Sequence, residues 1–339
     1  MHLHFRPYFF KRSFIMKRLF LQIFGAPVFW MLAQKKRKVG GQAIIEGVMM
    51  RGKDNVSWAV RKSESDIVVE RTAFISAAKK IALLKKPVLR GAVGLFESVV
   101  LGYRALTRSA EIFEDEQRRQ AEEDGKKIKE RNKAGEKIMT GFSLVISLVL
   151  ALGIFMYVPM WLLSKFVPKD SALLFNTLSG SLRIFFFLIY LIAISFWKEI
   201  RRVFEYHGAE HMAIFAYEDG KELTIDNMRN YTTLHPRCGT SFLLLVGIVC
   251  ILLFSIVDAL VIGFIGPYPS VLARFGVHLL LVPLISGTSY EILKLSDAHQ
   301  NLPVVGWLIQ PGLMLQKITT KTPDDAQLEV AAKALQAAL

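Results

Sequence analysis

Four long apolar runs dominate the second half of this chain, at about 141–163, 181–197, 241–265 and 271–293. Each approaches the roughly 20 residues that a helix needs to cross a bilayer core. In lipid a backbone amide has no water to bond, so a segment of this kind must satisfy its N–H and C=O groups within a helix. The class expected is therefore an α-helical polytopic membrane protein with about four transmembrane helices. Pro159 and Pro283 fall inside two of the runs and are expected to bend them, because proline lacks an N–H and clashes with the turn before it.

The rest of the chain is polar. Of 339 residues, 52% are hydrophobic and 21% charged, a mixture that calls for a part in water as well as a part in lipid. Residues 1–140 hold 29 Lys/Arg against 15 Asp/Glu and the remainder holds 14 of each, so the whole net charge of +14 lies in the N-terminal part. Beside transmembrane helices, such a basic block suits a lipid bilayer with anionic headgroups, and no nucleic acid is expected. Two cysteines, Cys238 and Cys250, make no disulfide framework.

Basic residues crowd the ends of the runs on one side: Lys126 to Lys137 before the first, then Lys198, Arg201 and Arg202 after the second. The loops at 164–180 and 266–270 hold two and none. By the positive-inside rule, segment 198–240 and both termini face the cytoplasm.

The chain then divides as follows. Residues 1–39 form a basic, apolar N-terminal extension, interfacial or poorly ordered, without a small-x-small cleavage site. Residues 40–113 form a cytoplasmic β segment, punctuated by Gly40, Gly41, Gly47 and Gly52, followed by an amphipathic helix on which Leu89, Val93, Phe96, Val100 and Tyr103 recur at helical steps. That helix lies on the membrane or against the cytosolic part. Residues 114–140 are a charged linker or helix, and 141–293 are the four-span membrane domain with its cytoplasmic loop 198–240. Residues 294–339 are a cytoplasmic tail, in which Asp324 is expected to cap a final helix carrying Leu328, Ala332 and Leu335. The cytoplasmic portions together make a small α+β unit.

Chemistry concentrates in the 198–240 loop, where His207, Glu210, His211, His235 and Cys238 fall close together. His207 and His211 are four apart, so on a helix both imidazoles leave one face and can grip one ion, zinc above other divalent metals. With Glu210 they spell H-x-x-E-H, the inverted zinc-hydrolase spacing, in which the carboxylate serves as base. Gly208 inside the motif weakens the helix by about 1 kcal/mol. His235 would complete a three-histidine site. Cys238 would be a fourth ligand, a thiolate nucleophile or a structural residue, with Thr240 or Ser241 capping the helix that follows. Glu291, at the end of the fourth run, is a metal ligand or base, or else an ion-pair partner of Lys294, Arg201 or Arg202. Asp258 and His278 are expected to pair within the membrane, structurally more readily than as a proton path.

Three stretches, Gly40 to Arg51, His207 to His211 and His235 to Phe242, together with Arg90-Gly91, Ser286 to Glu291 and Pro311 to Thr320, closely resemble the YqhQ-like family. This is a bacterial domain-of-unknown-function family of multispanning membrane proteins, sometimes labelled predicted metal-dependent enzymes. The resemblance covers about residues 39–339 and implies the bacterial plasma (inner) membrane. The reading that follows is a metal-dependent membrane enzyme, hydrolytic, at the cytoplasmic membrane face, with His207, His211, His235 and Glu291 as metal residues and Glu210 and Cys238 as catalytic ones. The alternative is a non-enzymatic membrane scaffold or assembly factor, with structural His/Cys clusters and a membrane protein partner in place of a substrate.

Overall fold

In the computed structural model, residues 39–125, 133–168, 170–298 and 303–339 are described; the expected extension at 1–39 lies almost entirely outside them. The chain opens with a four-stranded antiparallel meander, β1 (Gly40–Ile44), β2 (Gly47–Arg51), β3 (Asn55–Arg61) and β4 (Ile67–Ala73), in sheet order β1-β2-β3-β4. Ile44 pairs with Gly47 across the first turn, where Glu46 adopts a left-handed φ of 49°.

Side chains alternate across a strand, and both faces of this sheet are covered. Ile44, Met49, Val56 and Val60 pack against Leu101, Ala105 and Ile112 of α1 (Leu89–Glu123). Val48, Met50 and Ala59 turn the other way, into a core shared with Tyr206, Ala209, Leu328 and Leu335. A sheet covered on both faces needs no polar alternation, which is why β2 reads as an unbroken apolar stretch. The expected helix ends near 113, but α1 continues to Glu123. Glu116 is buried there between Arg119 and Lys62, and this pairing carries the helix into the charged stretch.

The described residues are otherwise mostly helical. Helix α2 (Lys133–Leu152) passes through a π-helical turn at Gly153–Tyr157 into α3 (Val158–Leu163). The wider turn comes just before Pro159, which has no N–H to give the ladder. Then come α4 (Ala172–Ser195), α5 (Lys198–Glu218), α6 (Gly239–Phe264), α7 (Val271–Leu280), α8 (Val282–Ala298), α9 (Pro303–Thr319) and α10 (Asp325–Ala338). Among the described residues, three helices are long and apolar enough to cross a membrane: Met139–Leu163, Ala172–Ser195 and Phe242–Phe264. A fourth span results if Val271–Leu280 and Val282–Ser296 count as one, bent by 47° next to Pro283, as expected. The second run begins nine residues earlier than its hydropathy suggests, at Ala172 rather than Ser181. Asp324 caps α10 as expected, and Gln327 closes a reciprocal capping box with it.

Helix α1 meets α8 at two glycines. A Cβ on Gly91 would lie 2.9 Å from the Gly287 carbonyl, and one on Gly287 would lie 2.2 Å from the Val88 carbonyl. Val88 itself has φ 68°, a rare conformation for a β-branched residue. Gly287→Ala should therefore push the two helices apart and cost about 1–3 kcal/mol, measurable as a lowered denaturation midpoint of the detergent-solubilised protein.

Candidate metal centre

Helix α5 carries His207, Glu210 and His211 on one face, as their spacing requires. His207 directs Nδ1 at the Thr319 carbonyl oxygen, 2.8 Å away, and His211 directs Nδ1 at that of Thr233. A carbonyl only accepts, so each Nδ1 carries a proton and Nε2 is the ring nitrogen left for another partner. His207 Nε2 lies 3.2 Å from Cys238 Sγ. One ligand atom from each of His207, His211 and Cys238 falls within 4.8 Å of the others. Nitrogen and sulfur sharing a tetrahedral zinc stand roughly 3.5 Å apart, so the three atoms fit one ion with small adjustments. Metal-binding histidines ordinarily direct their other ring N–H at a carbonyl or carboxylate in this way, which fixes the orientation of the ring.

Gly208 explains why a glycine interrupts the motif. A Cβ there would lie 2.1 Å from the Lys321 carbonyl. The chain after α9 therefore lies directly on α5, fixed by Lys321 N–H donating to the Phe204 carbonyl at 2.9 Å, and this places Thr319 over His207. Cys238 is the N-cap of α6, its Sγ accepting from Thr240 N–H at 3.4 Å. Thr240 and Ser241, the expected caps, lie inside the helix; the turn at Pro236 starts α6 earlier and brings Cys238 to its end. The positive end of the helix thus faces the sulfur.

Glu210 is 4% exposed, and its Oε2 is 3.9 Å from His207 Nε2. Burial raises its carboxyl to about 7, opposed by the nearby His207 and by the Gly41 N–H it accepts from. A Cβ on Gly41 would come within 2.6 Å of that carboxylate, so β1 approaches it through a glycine.

The structure does not bring His235 or Glu291 into the cluster. The His235 ring is 5.5 Å from that of His211, but its Nδ1 accepts from Arg237 N–H and its Nε2 faces Glu218 at 3.9 Å. With Nδ1 accepting, Nε2 carries the proton and offers no lone pair to an ion. Its backbone is clamped by Gln316, which accepts from His235 N–H at 2.7 Å and donates to the His235 carbonyl at 2.8 Å. Glu291 is held instead by Arg90, whose Nε donates to Oε1 at 2.7 Å while Nη2 takes the second oxygen. Neither Lys294, Arg201 nor Arg202 is its hydrogen-bonded partner. Arg202 pairs with Glu46 on the β1–β2 turn. The Asp258–His278 pair forms as expected, at 2.9 Å, and Cys250 is a half-buried thiol of α6.

The Glu210 carboxyl gives metal-free protein a distinctive pH dependence. Its folded value exceeds the unfolded one, so between about pH 4.5 and 7 the folded state binds more protons than the unfolded state. Stability then falls as pH rises through that window, by up to about 3 kcal/mol. Denaturation of chelator-treated protein at several pH values should show this loss, and Glu210→Gln should abolish it.

Residues 86–339 match the family described as "Protein of unknown function (DUF1385)". A Bacillus subtilis (strain 168) protein described as "Uncharacterized protein YqhQ" is similar, with 31% identity over 298 residues, covering 86% of this chain and 89% of that one. No solved structure matches. With three-quarters of its length matched, the His/Cys cluster and apolar helices included, the chain belongs to the DUF1385 family.

Proposed function

We propose that this is a bacterial inner-membrane metalloenzyme of hydrolytic type, with His207, His211 and Cys238 as its ligands for a divalent ion, zinc before others. The observation that carries the proposal is the pair of imidazoles, each with Nδ1 directed at a carbonyl, that bring ligand atoms within 4.8 Å of one another and of the Cys238 sulfur. Three protein ligands leave one position open, the arrangement of catalytic zinc sites rather than closed structural ones. A bound ion would supply Lewis acidity to a carbonyl or phosphoryl oxygen.

Glu210 then has the role of general base. Its carboxyl, raised to about 7 by burial, is tuned to the range in which a base works near neutral pH. A thiolate from Cys238 and a carboxylate from Glu210 together balance a dication, which lowers the cost of burying all three. His235 serves the site from behind, held by Gln316, Glu218 and Arg237, and Glu291 locks α1 to α8 through Arg90.

The apolar helices supply the membrane reading, and the basic residues before α2 and on α5 support a cytoplasmic placement of the cluster and both termini. Leu89, Phe96 and Val99 are exposed on α1, with Lys85 and Lys86 just before it. Such a face suits contact with anionic headgroups.

Elemental mass spectrometry of detergent-purified protein tests this directly. About one divalent ion per chain is expected, lost in a folded His207→Ala/His211→Ala double variant and retained in Glu210→Gln. Gly208→Ala, which touches no ligand but displaces the Thr319 carbonyl, should weaken metal affinity about 10–100-fold. A wild-type chain that takes up no zinc, manganese or iron would overturn the metalloenzyme and leave the scaffold reading.

A further inference from the structure

Arg183 is the twelfth of the 24 residues of α4, about 17 Å from either end at helical rise. A guanidinium at that depth in an apolar helix is costly unless something compensates it. Its Nε and Nη2 are both buried, and neither has a hydrogen-bond partner among the described residues. These two atoms form the edge with which arginine grips an oxyanion side-on. Elsewhere in this chain that same edge holds a carboxylate: Arg90 on Glu291, Arg108 on Glu70, Arg119 on Glu116, Arg202 on Glu46 and Arg229 on Asp325.

Among the described residues, no carboxylate bonds the Arg183 Nε–Nη2 edge. Asp258 is the only acidic residue in α4, α6 or α7, and it is already saturated. Its Oδ1 accepts from Tyr268 and His278, both at 2.9 Å, and its Oδ2 from Asn176 and Arg274, both at 2.7 Å. Four donors fill the four lone-pair positions of a carboxylate. With Arg274 matched to Asp258, the charge of Arg183 stands in excess.

Its surroundings are built for a polar guest. Ser179, one turn before it on α4, is fully buried with Oγ unpartnered among the described residues. The Arg183 guanidinium carbon lies 5.3 Å from the Phe254 ring centroid, and Phe254 stacks on His278 at 3.8 Å.

We propose that Arg183, with Ser179, forms a second binding site between α4, α6 and α7 that takes a small free oxyanion, a carboxylate or phosphate, on the Nε–Nη2 edge. A lipid headgroup does not suit this depth, since headgroups stay at the interface.

Equilibrium dialysis of the full-length detergent-purified protein against radiolabelled inorganic phosphate, and separately acetate, is the test. Saturable binding of at least one of the two is expected at one site per chain. Arg183→Gln should weaken it at least about tenfold, and Arg183→Lys, which keeps the charge but loses the fork, by less. No saturable binding to the wild type would mean that water alone serves that edge, and would overturn the proposal. Equal binding by a folded Arg183→Gln, as with an anion on surface lysines, would overturn it too. If Arg183→Gln does not fold, Ser179→Leu, which fills the space beside the guanidinium and leaves the charge, carries the comparison: lost binding upholds the site and unchanged binding rejects it.

Discussion

The contact between Gly208 and the backbone at Lys321 organises the candidate metal centre. Only a residue without a Cβ lets the chain after α9 lie on α5, and only that approach brings the Thr319 carbonyl to His207. The carbonyl holds Nδ1, Nε2 is left for another partner, and Cys238 is then within reach. The glycine is unfavourable for an isolated helix by about 1 kcal/mol; tertiary packing on a neighbouring chain segment offsets that weakness.

Two buried carboxylates show how differently the fold treats negative charge. Asp258 accepts from four donors and is locked as an anion among cations and dipoles. Glu210 receives one backbone N–H and stands close to His207 without a hydrogen bond to it. The first environment suits a permanent structural charge. The second leaves a group that exchanges its proton near neutrality, which is the property expected of a base.

The apolar helices, the β segment, the cap at Asp324, the α5 face and the Asp258–His278 pair were all legible in the sequence, because each rests on local periodicity or on a short spacing. Tertiary partners were not. Arg90 finds Glu291 across 201 residues, and nothing local marks that pairing. His235 sits near the cluster in space as in sequence, but its ring is turned by the Arg237 amide, a hydrogen bond that composition does not reveal. Arg183 went unremarked within its apolar run, because what sets it apart is a partner missing among the described residues, which no local pattern marks. The one local hint of long-range structure was Gly208, a helix-weakening residue at the centre of a chemical motif.

The sheet is complete in sequence by residue 73, yet its second face is covered by α10, which follows every apolar helix. The carbonyl behind His207 likewise comes from residue 319. During synthesis, the strands, the two histidines and the cysteine all precede the segment that closes over them. Folding of the polar layer therefore waits on the last helix, and it joins residues far apart in sequence. A chain stalled in mid-synthesis would leave that sheet face and the Cys238 thiol uncovered, while the finished chain buries both.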